Sequence, residues 1–250
     1  MTRIIMHGCN GAMGQVISDI VRKDENAEIV AGIDIVDNRE NGYPVFTDID
    51  SCDVEADVII DFCSPKAIDK LLAYCKKTGT PVVVCTTGLS EKQIEAVKET
   101  GKEVAVFKSA NMSLGITILS KLLKEAAQVL ADDFDIEIVE RHHNQKLDAP
   151  SGTALMLADS INEALNNEYE YVYDRSKVRE KRKKKDIGLS AVRGGTIVGE
   201  HEVIFAGTDE VVEFKHTAYS KAIFAKGAVA AAKFLKGKGA GMYDMTDVVE

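Results

Sequence analysis

The chain has no run of apolar residues approaching the roughly 20 that a membrane-spanning helix needs. Its five cysteines, Cys9, Cys52, Cys63, Cys75 and Cys85, are odd in number and never spaced C-x-x-C. That pattern argues against a disulfide framework or a zinc site and for a reducing cytoplasm. No metal set is legible elsewhere, because His142 and His143 are adjacent and have no cysteine near them in sequence. A surplus of positive charge is also missing. A net charge of −9 argues against nucleic acid or an anionic membrane as the main partner. The opening MTRIIMHG runs directly into a strand-like segment, with none of the zones of a cleavable signal. What remains is ordinary globular material, 45% apolar and 28% charged, with enough length for one large core or two modest ones.

The first hundred residues alternate between apolar runs and helical patterns. Strand-like runs fall at Arg3–His7, Glu28–Asp34, Asp57–Phe62, Pro81–Thr86 and Glu103–Phe107. Ser64-Pro65 opens a helix as N-cap and first-turn proline; Ile68, Leu71, Leu72 and Cys75 share its apolar face, and Gly79 ends it. Ser90 with Gln93 reads as a capping box for the next helix. Strands apolar throughout and separated by helices predict a parallel sheet covered on both faces, a doubly wound, Rossmann-type α/β domain.

The pattern changes after Asn111. Leu119, Leu122, Leu123, Ala126 and Leu130 trace a long helix, Phe134–Glu140 alternates as a strand, and Gly152–Leu165 reads as a second helix. Two β-rich runs, Thr196–Ala206 and Glu210–Tyr219, meet at the turn Gly207-Thr208-Asp209. Helices mixed with a meander predict a second, α+β domain with a mostly antiparallel or mixed sheet. The alanine-rich segment Ala222–Leu235 is a final helix whose pattern suits either domain. Eight Lys/Arg residues crowd Arg175–Lys185. Without interleaved aromatics, in an acidic protein, they read as a solvated loop and not as a nucleic-acid patch.

MHGCNGAMGQVI puts Gly8, Gly11 and Gly14 directly after the first strand and at the start of a helix. The spacing departs from the standard G-x-G-x-x-G, so the context carries the reading. Glycines let the backbone approach a pyrophosphate, and the helix N-terminus offers free N–H groups and partial positive charge. Asp34 ends the second strand, where a carboxylate accepts hydrogen bonds from a ribose diol. Together these features predict dinucleotide binding. Asp34 would repel a 2′-phosphate and Ile35 offers no charge, so NADH is expected to serve at least as well as NADPH. Two later loops, Cys85-Thr86-Thr87-Gly88 and Ser109-Ala110-Asn111-Met112, belong at strand carboxyl ends, where open α/β sheets hold ligands. Their small and hydroxylated residues suit a nicotinamide ring; read alone, they are ordinary turns.

ERHHNQKLDAPSGTA, residues 140–154, gathers His142, His143 and Lys146 ahead of Ser151-Gly152-Thr153, the start of a helix. The helix start, the Thr153 hydroxyl and the lysine favour an anion, and histidine, with its pKa of about 6.5, handles protons near neutrality. A small acidic substrate that is both held and protonated accounts for the whole combination. Ser151 as a plain helix cap accounts for part of it. Adjacency leaves open which histidine handles the proton.

At these residues the chain resembles, essentially end to end, the dihydrodipicolinate reductase family, the 4-hydroxy-tetrahydrodipicolinate reductases of bacterial lysine and diaminopimelate synthesis. The resemblance rests on GCNGAMG, CTTGLS, SANMSLG, ERHHNQKLDAPSGTA and GTIVGEHEVIFAG, with H-H-x-x-K-x-D-x-P-S-G-T as its specific core. It implies an oxidoreductase that transfers a hydride from NADH or NADPH to a cyclic, unsaturated imine dicarboxylate. Gly8, Cys9, Asn10, Gly11, Ala12 and Met13 would then hold the pyrophosphate, and Asp34 the adenosine ribose. Cys85, Thr86 and Thr87, with Ser109, Ala110, Asn111 and Met112, would surround the nicotinamide. His142 and Lys146 fall at proton-handling positions; His143, Gly152 and Thr153, with Ser151 opening their helix, fall where substrate carboxylates are held.

The resemblance further implies a dinucleotide-binding domain over 1–112 rejoined by 222–250, a substrate-binding and oligomerisation domain over 113–221, and a homotetramer built through the second domain's sheet. No metal is expected. Three positions depart from the family pattern: Cys85 where glycine is usual, Met112 where phenylalanine is frequent, and Ser220-Lys221 where an arginine is frequent. Lysine there keeps the charge but loses the guanidinium fork. Two rival readings remain. Another two-domain NAD(P) oxidoreductase, such as an amino-acid or sugar dehydrogenase, would lack the H-H-x-x-K…P-S-G-T constellation. A nucleotide-sensing regulator would bind NADH without hydride transfer.

Overall fold

Short runs rich in Val and Ile become the strands of a parallel sheet in the computed structural model, which describes residues 1–249. They are β1 (Thr2–His7), β2 (Ala27–Ile33), β3 (Val45–Phe46), β4 (Val58–Asp61), β5 (Val82–Val84) and β6 (Ala105–Phe107), in the order β3-β2-β1-β4-β5-β6. Helices α1 (Ala12–Val21), α2 (Ile68–Thr78) and α3 (Glu91–Gly101) connect them. The order reverses between β1 and β4, the switch point at which open α/β sheets bind ligands. Val58, Ile59 and Ile60 of β4 are fully buried, each side chain contributing about 1.5–3 kcal/mol of transfer free energy.

The local signals hold with one shift. Ser64-Pro65 opens a 3-10 turn, Pro65–Ala67, and the α-helix begins only at Ile68; Ser64 makes no side-chain cap bond. Gly79 ends α2 at φ 72°, a left-handed conformation that costs glycine little. Ser90 and Gln93 form the reciprocal capping box of α3.

The chain folds into two compact units, one comprising Met1–Leu114 with the segment from Ala222 onward, the other Gly115–Lys221. The second carries α4 (Leu114–Leu130), β7 (Asp135–His142), α5 (Gly152–Ala164), β8 (Glu170–Val172), β9 (Asp186–Arg193), β10 (Gly199–Ala206) and β11 (Val211–Ala218). Its sheet runs β11-β10-β7-β9-β8. β7 pairs antiparallel with β10 and parallel with β9, so the sheet is mixed. One face, with Ile136, Ile138, Leu189, Val203 and Phe205, packs on Leu119 and Leu123 of α4 and Leu157 and Ile161 of α5. β7 alternates between half-buried and buried along its whole length. Side chains two apart on a strand share a face, so Glu140 and His142 turn inward with Ile136 and Ile138.

The sequence pattern did not show β9. It follows the basic run, which joins the parallel neighbours β8 and β9. The run is mostly exposed, yet two of its arginines are pinned. Arg175 meets Asp186 at 3.0 Å and Glu137 at 2.9 Å, and Arg182 meets Asp135 at 2.5 Å and donates to the Asp186 carbonyl at 2.8 Å. The run is thus an exposed loop with two arginines anchored to the sheet. Acids of β7 and β9 neutralise part of the cationic surplus.

The chain then returns to the first unit. α6 (Ala222–Leu235) packs on α1 and on the parallel sheet, β12 (Gly241–Tyr243) extends that sheet beside β6, and α7 (Met245–Val249) follows. A Cβ at Gly227 would stand 1.6 Å from the Met112 carbonyl oxygen, so only glycine lets α6 settle there. Among the described residues no helix is long and apolar enough to cross a membrane.

Candidate functional site

The first candidate site is made of backbone. Gly8 leaves β1 at φ 87°, and a Cβ on it would lie 2.8 Å from the Phe62 carbonyl oxygen. A Cβ on Gly14, inside α1, would stand 2.2 Å from the Gly8 carbonyl oxygen, so helix and turn touch through glycine. Gly11 is the N-cap of α1, with no side-chain cap and no acid in the first turn. The uncapped amides of Ala12 and Met13 suit a phosphate. The Asn10 N–H donates to Asp34 Oδ2 at 2.8 Å, which sets the carboxylate beside the turn. Cys9 is fully buried, and burial first, then the nearby Asp34 charge, pushes its thiol up to about 12. These features fit a dinucleotide's pyrophosphate and ribose.

The two later loops are in the same unit. Thr86 is buried and donates to Asp61 Oδ2 at 2.7 Å and to the Cys63 carbonyl at 3.1 Å, whereas Thr87 is exposed. Burial pushes the Cys85 thiol well up. Ser109 Oγ donates to the Asn111 carbonyl at 3.0 Å, and Ala110 is exposed. Met112 is 7% exposed and belongs to the core cluster with Phe107 and Ala228, so its side chain is largely committed to packing. Asp61 also meets His7, with Nδ1 2.7 Å from Oδ1. Burial alone would lower the His7 pKa, but Asp61 and Cys63 outweigh it and raise it to about 9.

The second candidate site is made of side chains. Glu140, 1% exposed, accepts from the two terminal nitrogens of the Arg193 guanidinium, each at 2.7 Å. It also takes the Ser151 N–H at 3.0 Å and sits 2.6 Å from His142 Nδ1. Burial pushes the Glu140 carboxyl upward, but Arg193, His142 and the Ser151 amide outweigh it and hold it below its usual range. Bidentate pairing and full hydrogen bonding are what make such a buried charge tolerable. A Cβ at Gly199, opposite, would stand 3.1 Å from His142 Nε2, so glycine leaves that nitrogen uncrowded.

His201 packs edge-on to His142, with ring centroids 5.1 Å apart, and its Nε2 lies 3.0 Å from Ser151 Oγ. Burial, then the neighbouring His142 charge, lowers its pKa to about 4. Ser151 caps α5 by accepting the Ala154 N–H at 3.2 Å. Both its amide and its hydroxyl are thus spent inside the protein.

The rest of the histidine stretch is more open. His143 is half-buried, and Gly152 is exposed with nothing within 4 Å of where a Cβ would be. Lys146 Nζ pairs with Asp148 Oδ1 at 2.8 Å. The Asp148 carboxyl is held below its usual range by Lys146 first, and the Gly152 N–H also bonds it. One carboxylate of the protein therefore already lies on Lys146.

Glu140, Arg193 and His201 were not singled out from the sequence. Glu140 had a usable signal, its place two residues before His142 on one alternating strand. Arg193 and His201 had none, because only the sheet register sets Arg193 beside His142 and His201 beside Glu140.

The sequence model of the family described as "Dihydrodipicolinate reductase, N-terminus" matches residues 2–112, and that described as "Dihydrodipicolinate reductase, C-terminus" matches 115–249. The chain is 52% identical over 250 residues to the 4-hydroxy-tetrahydrodipicolinate reductase of Caldanaerobacter subterraneus subsp. tengcongensis, covering 100% of this chain and 99% of the relative. It is 48% identical, with the same coverage, to the enzyme of that name from Clostridium novyi. The fold is similar to that of a dipicolinate-bound dihydrodipicolinate reductase from Paenisporosarcina sp. TG-14, with a TM-score of 0.83 at 23% identity over 100% of both chains.

Proposed function

The chain belongs to the dihydrodipicolinate reductase family, and from that premise we infer that it is an NAD(P)H-dependent oxidoreductase that converts 4-hydroxy-tetrahydrodipicolinate into tetrahydrodipicolinate, a step of lysine and diaminopimelate synthesis. Going from the one compound to the other takes up one hydride and one proton and releases the 4-hydroxyl as water. The bound dinucleotide supplies the hydride. The protein's own groups orient the substrate, neutralise its carboxylates and manage the proton.

The observation that carries this reading is the seat of Asp148. A carboxylate resting on Lys146 Nζ beside the start of α5 supports binding of a substrate carboxylate there after displacing it. His143 and Thr153 complete that anion site. His142 handles the proton. Glu140 fixes its Nδ1, so Nε2 beside Gly199 is the working atom. Lys146 supplies positive charge and a second proton-bearing group. Ser151 acts through the helix start it caps and through Glu140, because its own hydroxyl and amide are engaged.

On the dinucleotide side, the turn from Gly8 to Met13 receives the pyrophosphate and Asp34 the ribose. Cys85, Thr86, Thr87 and the loop Ser109–Met112 border the nicotinamide, Thr86 and Met112 from beneath, since both are buried. Asp34 favours NADH at least as much as NADPH. The second unit's other sheet face carries Val139 and Ile204 among the charges of Arg141, Glu200 and Glu202, which supports assembly of a homotetramer through it. The expected location is the cytoplasm.

The deciding experiment follows NADH loss, and NADPH loss in parallel, while the imine substrate is generated enzymatically in the same cuvette. Substrate-dependent oxidation with NADH at least as fast as with NADPH is expected. No substrate-dependent oxidation would end the reading, and a strong preference for NADPH would end its cofactor clause.

A further inference from the structure

We propose that His7, Asp61 and Cys63 form a binding site for one thiophilic divalent cation of the zinc type, at the carboxyl ends of β1 and β4. The parallel register sets His7 directly beside Asp61. Cys63 follows Asp61 by two residues, and its N–H donates to Asp61 Oδ1 at 3.2 Å. The three donor atoms, one nitrogen, one oxygen and one sulfur, all lie within 4.8 Å of one another. None of the three residues has a part in the reaction proposed above, although Thr86 and the glycine turn beside them border the proposed dinucleotide seat.

The donor set selects the ion. Zinc takes imidazole, carboxylate and thiolate at about 2.0–2.3 Å in tetrahedral geometry, which spaces ligand atoms at roughly 3.3–3.8 Å. His7 Nδ1 and Asp61 Oδ1 are now 2.7 Å apart and would part by about half an ångström to admit the ion. Calcium and magnesium want six or more oxygen ligands and find one carboxylate here. The thiol proton and the proton shared by His7 and Asp61 leave to solvent as the ion enters.

The surroundings suit a bound ion. Thr86 Oγ1 donates to Asp61 Oδ2 at 2.7 Å, a support that orients the carboxylate and turns Oδ1 towards His7 and Cys63. His7 and Asp61 are 6% and 1% exposed, whereas Cys63 is half-buried and gives an entry path and an open fourth position for water. The sulfur would lie 3.3 Å from a Cβ on Gly8, so the ion would sit against the glycine turn.

The test titrates cobalt(II) into the full, tag-free chain, kept reduced with a phosphine. One equivalent should bind and give a sulfur-to-cobalt charge-transfer band in the near ultraviolet, and zinc should displace it. Cys63→Ser should abolish the band, and His7→Asn should weaken binding by about tenfold or more. Cys63 is only half-buried, so Cys63→Ser should fold even if His7→Asn does not, and it decides alone in that case. Absence of the band, its survival in Cys63→Ser, or displacement by magnesium as readily as by zinc would each overturn the proposal.

Discussion

The glycine turn after β1 and the Glu140 cluster on β7 are built from different material. The turn uses amides and the absence of side chains, and its parts are neighbours in sequence. The cluster uses two histidines, a carboxylate, a guanidinium and a serine drawn from four segments. A backbone site fails when something is added, because a new Cβ has nowhere to go. A side-chain network fails when something is removed, because a buried charge is left behind.

Removal from the network should have the largest effect. Glu140→Ala strands the Arg193 guanidinium, and we expect it to cost about 3–5 kcal/mol in chemical denaturation. A loss under about 1 kcal/mol would mean that the network is ornamental. His142→Ala should cut turnover by about 10²–10³-fold while leaving the NADH dissociation constant unchanged. Steady-state kinetics beside a fluorescence titration of NADH separate the two quantities, and near-normal turnover would remove His142 from its role.

Acid should expose the same network. His201 faces His142, Glu140, His216 and Lys146, and its folded pKa of about 4 lies below the 6.5 of a free histidine. Between those values the unfolded chain binds the proton and the native chain does not. Its contribution to stability is therefore intact above pH 6.5 and is lost as pH falls towards 4, by up to about 3 kcal/mol. Thermal melts across that range should show the loss, and His201→Gln should flatten it; an equal slope in both proteins would refute the assignment. The turn gives the smallest of the four effects. Gly14→Ala, which forces the Gly8 carbonyl aside, should weaken NADH about tenfold or more, about 1.4 kcal/mol. Unchanged NADH binding would place the dinucleotide elsewhere.

The same contrast explains what could be read from the sequence. The strands β1, β2, β4, β5 and β6 were legible because buried parallel strands are uniformly apolar, and the capping box at Ser90 is a local motif. Gly8, Gly11 and Gly14 could be found for the same reason, since their meaning lies within seven residues. β9 was hidden behind the basic run, and its polar residues Ser190 and Arg193 break the apolar pattern. Without β9 the partner of Glu140 could not be named. His7 and Asp61 meet across 54 residues, a pairing that no spacing rule encodes. Ser151 was ambiguous between capping and ligand binding, and the hydrogen bonds to Ala154 and Glu140 weigh towards the cap.

Gly227 and the helix around it bear on the order in which the protein can be made. The first unit's core joins Ile4, Val58 and Phe107 from the beginning of the chain to Ala228, Ala232 and Leu235 from its end. Until α6 emerges from the ribosome, that core is covered by α1 alone, through Ile17 and Val21, whereas Gly115–Lys221 is continuous and can close as soon as it is synthesised. The later segment of the polypeptide would mature first, and the nucleotide unit would wait for the final helix with an apolar surface that a chaperone could recognise.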